Sequence, residues 1–152
     1  PGQIVISGEK PACTRAAELA ESLGAIKAVE LKVAGAFHTE LMAPAAEQLK
    51  KALEECNINA PDEPKVIANV NAEFYNSADE IRDGLVKQLI QPILWQKCME
   101  KLLEKDIQDY YEIGPGRVLT GLMKRIHRKT RVNNISNLDA LKKIQSKKKT
   151  AK

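Results

Sequence analysis

LKVAGAFHTELMAPAAEQL, residues Leu31 to Leu49, changes its period in the middle. Leu31 and Val33 are apolar and β-leaning, and the small residues Ala34-Gly35-Ala36 follow. After Phe37-His38, the apolar residues Met42, Ala45, Ala46, Leu49, Ala52, Leu53 and Cys56 recur at three- and four-residue steps. That switch predicts a strand-loop-helix junction, with a helix over about 39–56 and Thr39 at its N-cap. His38 therefore stands at the mouth of an amphipathic helix, whose partial positive charge disfavours imidazolium. A neutral histidine there can accept a proton. From position alone, a histidine that only packs or caps a helix entrance is the commoner case.

Upstream, Gln3-Ile4-Val5-Ile6-Ser7-Gly8 reads as a buried strand ending in a turn. Pro11 suits a helix's first turn, Ala12, Ala16, Leu19, Ala20 and Leu23 form its apolar face, and Gly24 ends it. Ala28 to Val33 reads as a second strand. Residues 1–33 are thus expected to be a strand-helix-strand unit, half of a ferredoxin-like fold.

Downstream, a loop from Pro61 to Pro64 leads to an expected strand at Lys65 to Val70. Ser77-Ala78-Asp79-Glu80 has capping-box spacing, ahead of a helix that buries Ile81, Leu85 and Leu89 and stops before Pro92. A further helix over about 93–104 carries Trp95, the only tryptophan. Tyr110 to Ile113 reads as a strand, Gly114-Pro115-Gly116 as a turn, and Val118, Leu119, Leu122, Met123 and Ile126 as the face of the next helix. A short strand at Val132 to Ile135 and a short helix at Leu138 to Ile144 are expected last. Alternation of strands and helices implies a largely parallel α/β layer structure.

Composition narrows the function classes. The chain has 152 residues, one domain's worth, with 43% hydrophobic and 29% charged residues. Aromatics are only 4%, so no stacking platform for bases is expected. No apolar run nears about 18 residues, and no signal peptide is visible, so no membrane span is expected. Cys13, Cys56 and Cys98 lie far apart without a Cys-x-x-Cys, and His38 and His127 stand separately. This gives no zinc spacing, no expected cofactor, and a reduced, cytoplasmic compartment. The net charge of +4 is uneven. From Lys124 onward, eleven Lys or Arg face Asp139 alone, a net +10. Residues 142–152 read as a basic tail, expected to be disordered, or else as a docking surface for an acidic partner or nucleic acid.

Weighed singly, most candidates are bland. Gly114-Pro115-Gly116 lacks the full Gly-x-Gly-x-x-Gly spacing and reads as a tight turn. Gln88 means nothing by itself, and His127 among Arg125, Arg128, Lys129 and Arg131 reads as solvated surface. A histidine base needs a nucleophile, yet Ser7, Ser22, Ser77, Ser136 and Ser146 all lack a Gly-x-Ser-x-Gly elbow. From the residues alone, the chain holds half of a catalytic pair.

Taken together, four separated pieces resemble one family. Pro1-Gly2-Gln3-Ile4-Val5-Ile6-Ser7-Gly8, Gly35-Ala36-Phe37-His38-Thr39-Glu40-Leu41-Met42, Leu85-Val86-Lys87-Gln88-Leu89 and Tyr111-Glu112-Ile113-Gly114-Pro115-Gly116-Arg117-Val118-Leu119 have the order and spacing of malonyl-CoA:acyl carrier protein transacylases. The resemblance runs from about residue 1 to 126 and covers only the C-terminal half of such an enzyme. It implies an α/β-hydrolase-like acyltransferase core over 34–141, with residues 1–33 as the second half of a ferredoxin-like subdomain. It implies ping-pong transfer of a malonyl group from malonyl-CoA to acyl carrier protein through a serine ester, in fatty acid biosynthesis. His38 then matches the catalytic histidine, and Gln88 the residue whose main-chain carbonyl orients it. Phe37, in an Ala-Phe-His run, matches the malonyl-selective version of the motif. The serine, the malonyl-pairing arginine and the oxyanion-hole loop belong to the N-terminal half, which this chain would need as a partner. Lys124, Arg125 and Arg128 are candidates for docking an acidic carrier, with no nucleic acid expected. The rival reading is a non-catalytic binding domain that uses its basic C-terminus for an acidic protein or nucleic acid. An upstream Gly-x-Ser-x-Gly elbow would decide between them.

Overall fold

The computed structural model describes residues 1–150, with side chains described through Ser146. It is mixed helix and strand. Helices α1 (Lys10–Ser22), α2 (Ala43–Glu54), α3 (Ala78–Ile90) and α4 (Trp95–Glu104) are followed by strand β1 (Tyr110–Ile113), helix α5 (Val118–Ile126), strand β2 (Val132–Ile135) and helix α6 (Leu138–Thr150). A 3-10 turn at Glu40–Met42 leads into α2. The chain divides into two units, Ile4–Cys98 and Pro1–Gln3 with Met99–Lys152, and α4 contributes residues to both.

In the first unit, α2 packs on α3. The expected capping box starts α3: Ser77 Oγ accepts the Glu80 N–H at 3.1 Å. The Glu80 carboxylate reaches back one residue further than the usual box, to the Asn76 N–H at 2.7 Å. Arg82 on α3 donates to the carbonyls of Leu53 and Cys56, both at 3.4 Å. A cation is thereby set on the negative end of α2. Its ion pair with Asp79 is an exposed i,i+3 contact, worth about 0.3–0.5 kcal/mol, so the carbonyls are the more telling partners. Gly84 is buried on α3 because the Tyr75 ring lies against it. A Cβ there would come within 2.7 Å of that ring, which leaves room for glycine alone. Burial of Tyr75 also raises the pKa of its phenol.

The strand-helix-strand expectation for residues 1–33 holds only for its helix. Pro11 lies in the first turn of α1, and Gly24, at φ +96°, follows its end. Neither Gln3–Gly8 nor Ala28–Val33 forms strand pairing. Ile4 is 89% exposed and Leu23 78%, and Ile26 is fully exposed. β-propensity marks a segment as suited to a half-buried surface, but a ladder requires a second strand. The described residues supply none to these segments. The strand expected at 65–70 is reduced to one antiparallel bridge, Ile67 with Phe74. Ala72, at φ +60°, reverses the chain there, so Tyr75 N–H pairs with Val66 O at 3.0 Å. The core of this unit is small, built on Ala46, Ala68, Ala72 and Cys98.

In the second unit, β1 and β2 pair in parallel, Tyr110 opposite Val132 through Ile113 opposite Ile135. They form a two-stranded sheet rather than a broad layer. Met99 and Met123 are buried here. The basic tail, expected to be disordered from residue 142, lies in α6 through Thr150, and residues 151–152 fall outside the described residues.

Candidate active site

His38 sits between Phe37 and the 3-10 turn, and its backbone has φ +66°. That left-handed conformation is uncommon for a residue with a Cβ. Two contacts accompany it. The His38 N–H donates to Leu89 O at 2.8 Å, and its ring Nδ1 lies 2.7 Å from Gln88 O. Both acceptors belong to the last turn of α3, where helical carbonyls lack intrahelical partners because Pro92 prevents the helix from continuing. A carbonyl only accepts, so Nδ1 is the donor in this contact, and in a neutral ring the lone pair then falls to Nε2. The ring thus meets the negative end of α3, whereas the sequence pattern suggested only the positive end of α2. A positive charge arriving at Nε2 would be felt through Nδ1–H by that carbonyl.

The Gln88 side chain is turned elsewhere. Its Nε2 donates to Gln91 O at 3.1 Å and Pro92 O at 3.4 Å, bracing the turn that ends α3. The main chain of Gln88, not its amide, therefore meets His38. Phe37 is 41% exposed, and its ring lies over Gly35, with Met42 close by. Thr39 occupies the N-cap position, but its hydroxyl accepts no amide from the following turn. It donates backward, to Ala36 O at 2.7 Å.

Lys124 and Arg125 lie in the last turn of α5, and Arg128 just beyond it; all three are exposed. Arg125 also donates to Gln3 Oε1 at 2.7 Å. A cavity of about 350 Å³ beside α3, lined by Asn71, Tyr75, Glu80, Asp83 and Lys87 among others, includes neither His38 nor Gln88. Among the described residues, no group of three or more His, Cys, Asp or Glu is placed to hold a metal ion, and no helix is long and apolar enough to cross a membrane.

One buried group had no sequence signal of its own. Glu112 is only 7% exposed, and its carboxylate accepts from the Leu119 and Thr120 N–H groups at 3.0 and 2.9 Å and from the Thr120 hydroxyl at 2.5 Å. It caps α5 from the preceding strand, across the Gly114-Pro115-Gly116 turn. An acid six residues ahead of a helix's first residue, across a glycine-bearing turn, is the pattern that could have revealed it. The Thr120 hydroxyl bond, ahead of the two amides, holds the Glu112 pKa below the ordinary carboxylate value. A depressed folded-state pKa gives stability that is present above the unfolded value near 4.5 and is lost as pH falls through the lower, folded one. In Glu112→Gln, the Leu119 and Thr120 amides should exchange faster than in the wild type near neutral pH, and the gap should close in acid. A gap independent of pH would mean that the carboxylate charge plays no part.

No family model matches the chain. The malonyl CoA-acyl carrier protein transacylase of Bacillus subtilis (strain 168) is 41% identical over 141 residues, covering 93% of this chain and 44% of that protein. The enzyme of the same name from Escherichia coli (strain K12) is 44% identical over 126 residues, covering 83% of this chain and 40% of that one. The chain therefore spans less than half the length of these relatives. Among solved structures, an acyl carrier protein S-malonyltransferase from Vibrio cholerae is similar with a TM-score of 0.84 at 36% identity, covering 90% of this chain and 44% of the other. A malonyl-transacylase in complex with a type II PKS acyl-carrier protein gives the same TM-score at 38% identity, over 88% of this chain and 43% of the other.

Proposed function

This chain is homologous to the malonyl CoA-acyl carrier protein transacylases, and we propose that it supplies the catalytic histidine of an enzyme transferring malonyl groups from malonyl-CoA to acyl carrier protein in fatty acid biosynthesis. The observation that carries this reading is the 2.7 Å contact between His38 Nδ1 and Gln88 O, which leaves Nε2 as the ring's proton acceptor. Gln88 does with a main-chain carbonyl what a carboxylate does in a Ser-His-Asp triad, fixing tautomer and ring orientation.

The reaction needs a serine from the remainder of the protein. Nε2 takes the serine proton as Oγ attacks the thioester carbonyl, and it returns that proton to the departing CoA sulfur. In the second half, Nε2 takes the proton of the carrier's thiol as sulfur attacks the serine ester. It then returns the proton to Oγ, and the enzyme is restored. The segments at 3–8 and 28–33, without strand pairing among the described residues and exposing Ile4, Val5, Val29 and Val33, support a remainder of the protein that completes a ferredoxin-like subdomain and an α/β-hydrolase-like core. The solved complex of a relative with its carrier supports acyl carrier protein as the acceptor.

Two tests separate parts of this reading. Exposed Lys124, Arg125 and Arg128 would attract an acidic carrier through charges screened beyond about 10 Å at 0.1 M salt. Raising salt in the complete enzyme should then raise the carrier's KM more than that of malonyl-CoA, and charge reversal at Lys124 or Arg128 should blunt the difference. Equal salt responses for both substrates would acquit these residues.

Phe37 is assigned the acyl selectivity, because a phenylalanine beside the base can fill the space an α-methyl would need. One methyl is worth about 1–3 kcal/mol in a pocket, so the preference should be about 10–200-fold. In competition, Phe37→Ser should move the kcat/KM ratio toward methylmalonyl-CoA by about tenfold or more. Equal losses on both substrates would leave Phe37 as a packing residue over Gly35.

A further inference from the structure

A threonine at a helix entrance ordinarily accepts an amide from the first turn. Thr39 does not: its hydroxyl has no capping bond and instead donates to Ala36 O at 2.7 Å. The turn ahead of α2 closes through the main chain, with Met42 N–H on Thr39 O at 3.0 Å. The hydroxyl thus does nothing for the helix. It ties off the short loop from Ala36 to Thr39, and the two residues enclosed are Phe37 and His38. His38 is held at φ +66°, a conformation that a residue with a side chain keeps only when its surroundings impose it. From that backbone, its N–H and its ring reach two consecutive carbonyls, Leu89 O at 2.8 Å and Gln88 O at 2.7 Å. A more common φ would rotate the Cβ, and the ring with it, relative to the N–H, so the contacts to Gln88 O and Leu89 O could not persist together.

We propose that Thr39 is a positioning residue: its hydroxyl bond to Ala36 O holds the left-handed backbone of His38, and so fixes which ring nitrogen is left free. This rests on the reading of His38 as the base. It assigns to Thr39 a role in the tautomer and aim of the ring, beyond starting a helix.

The test uses the complete enzyme, labelled with 15N-histidine, with the His38 signal assigned by its loss in His38→Gln. Wild type should show Nδ1 protonated and Nε2 bare in long-range 1H–15N spectra. Thr39→Val keeps the shape and removes the donor. It should raise the share of the other tautomer by about fivefold, and lower kcat by about five- to tenfold with little change in KM, the usual worth of one hydrogen bond. Thr39→Ser should keep both values near wild type. Thr39→Ala gives the same reading if the added methyl of valine unfolds the protein. A wild-type tautomer and kcat in the valine or alanine variant would overturn the role of Thr39 while leaving His38 as the base. A wild-type enzyme without the Nδ1–H tautomer would overturn the reading of His38 itself, and this proposal with it.

Discussion

Mixed with malonyl-CoA and acyl carrier protein, the 152-residue chain should release no CoA thiol above background. A base is useful only within hydrogen-bond reach of the group it activates, about 2.6–3.2 Å. The ring contact found at His38 is to Gln88 O. The serines are engaged elsewhere or lack the setting for attack. Ser22 donates to Leu19 O at 2.8 Å, Ser77 caps α3, and Ser146 donates to Lys143 O at 2.9 Å. Ser7 and Ser136 are not in an elbow that would present a strained, exposed Oγ. Turnover by the chain alone would mean that one of its own side chains acts as the nucleophile, and would sink the assignment of that role to the rest of the protein.

In the complete enzyme, His38→Ala should lower turnover by about 10²–10⁴, the usual contribution of a positioned general acid–base. Gln88→Ala should cost less than about tenfold. The carbonyl that meets Nδ1 survives the substitution, and what disappears is the brace from Gln88 Nε2 to Gln91 O and Pro92 O. One neutral hydrogen bond contributes about 0.5–1.5 kcal/mol, which bounds that loss. Steady-state kinetics on both variants checks the contrast. Comparable losses at the two positions would mean that the Gln88 amide acts on the reaction directly.

Local patterns carried the helices well, because periodicity and caps are written within a few residues of where they act. Ser77 and Glu80 announced the start of α3, and Pro92 its end. Tyr110–Ile113 and Val132–Ile135 were legible as strands because turn signals bound them and both partners lie in the chain. Residues 3–8 carry the apolar run Ile4-Val5-Ile6, and 28–33 alternate Val29, Leu31 and Val33 with Glu30 and Lys32, yet pairing is a non-local property, and nothing within either segment says whether a neighbour exists.

At the candidate site, the family resemblance singled out His38, Gln88 and Phe37, but it gave no sign of the conformations they adopt. His38 at φ +66° violates the local expectation for a residue with a Cβ. The direction of the Thr39 hydroxyl depends on which acceptor the loop offers, not on the spacing to the helix. Glu112 stayed hidden for a similar reason. Its partners at Leu119 and Thr120 come within reach only after the glycine-bearing turn folds α5 back beside β1. Such mismatches between local rule and observed structure are expected to gather where function or strain overrides propensity.

In the proposed mechanism, His38 Nε2 takes the serine proton when the malonyl ester forms. Intact-mass measurement at short times after adding malonyl-CoA to the complete enzyme, without carrier, isolates that step. Wild type should gain one malonyl group on a serine, and His38→Ala should gain it about 10²–10⁴ times more slowly. Malonylation of His38→Ala at the wild-type rate would contradict the account.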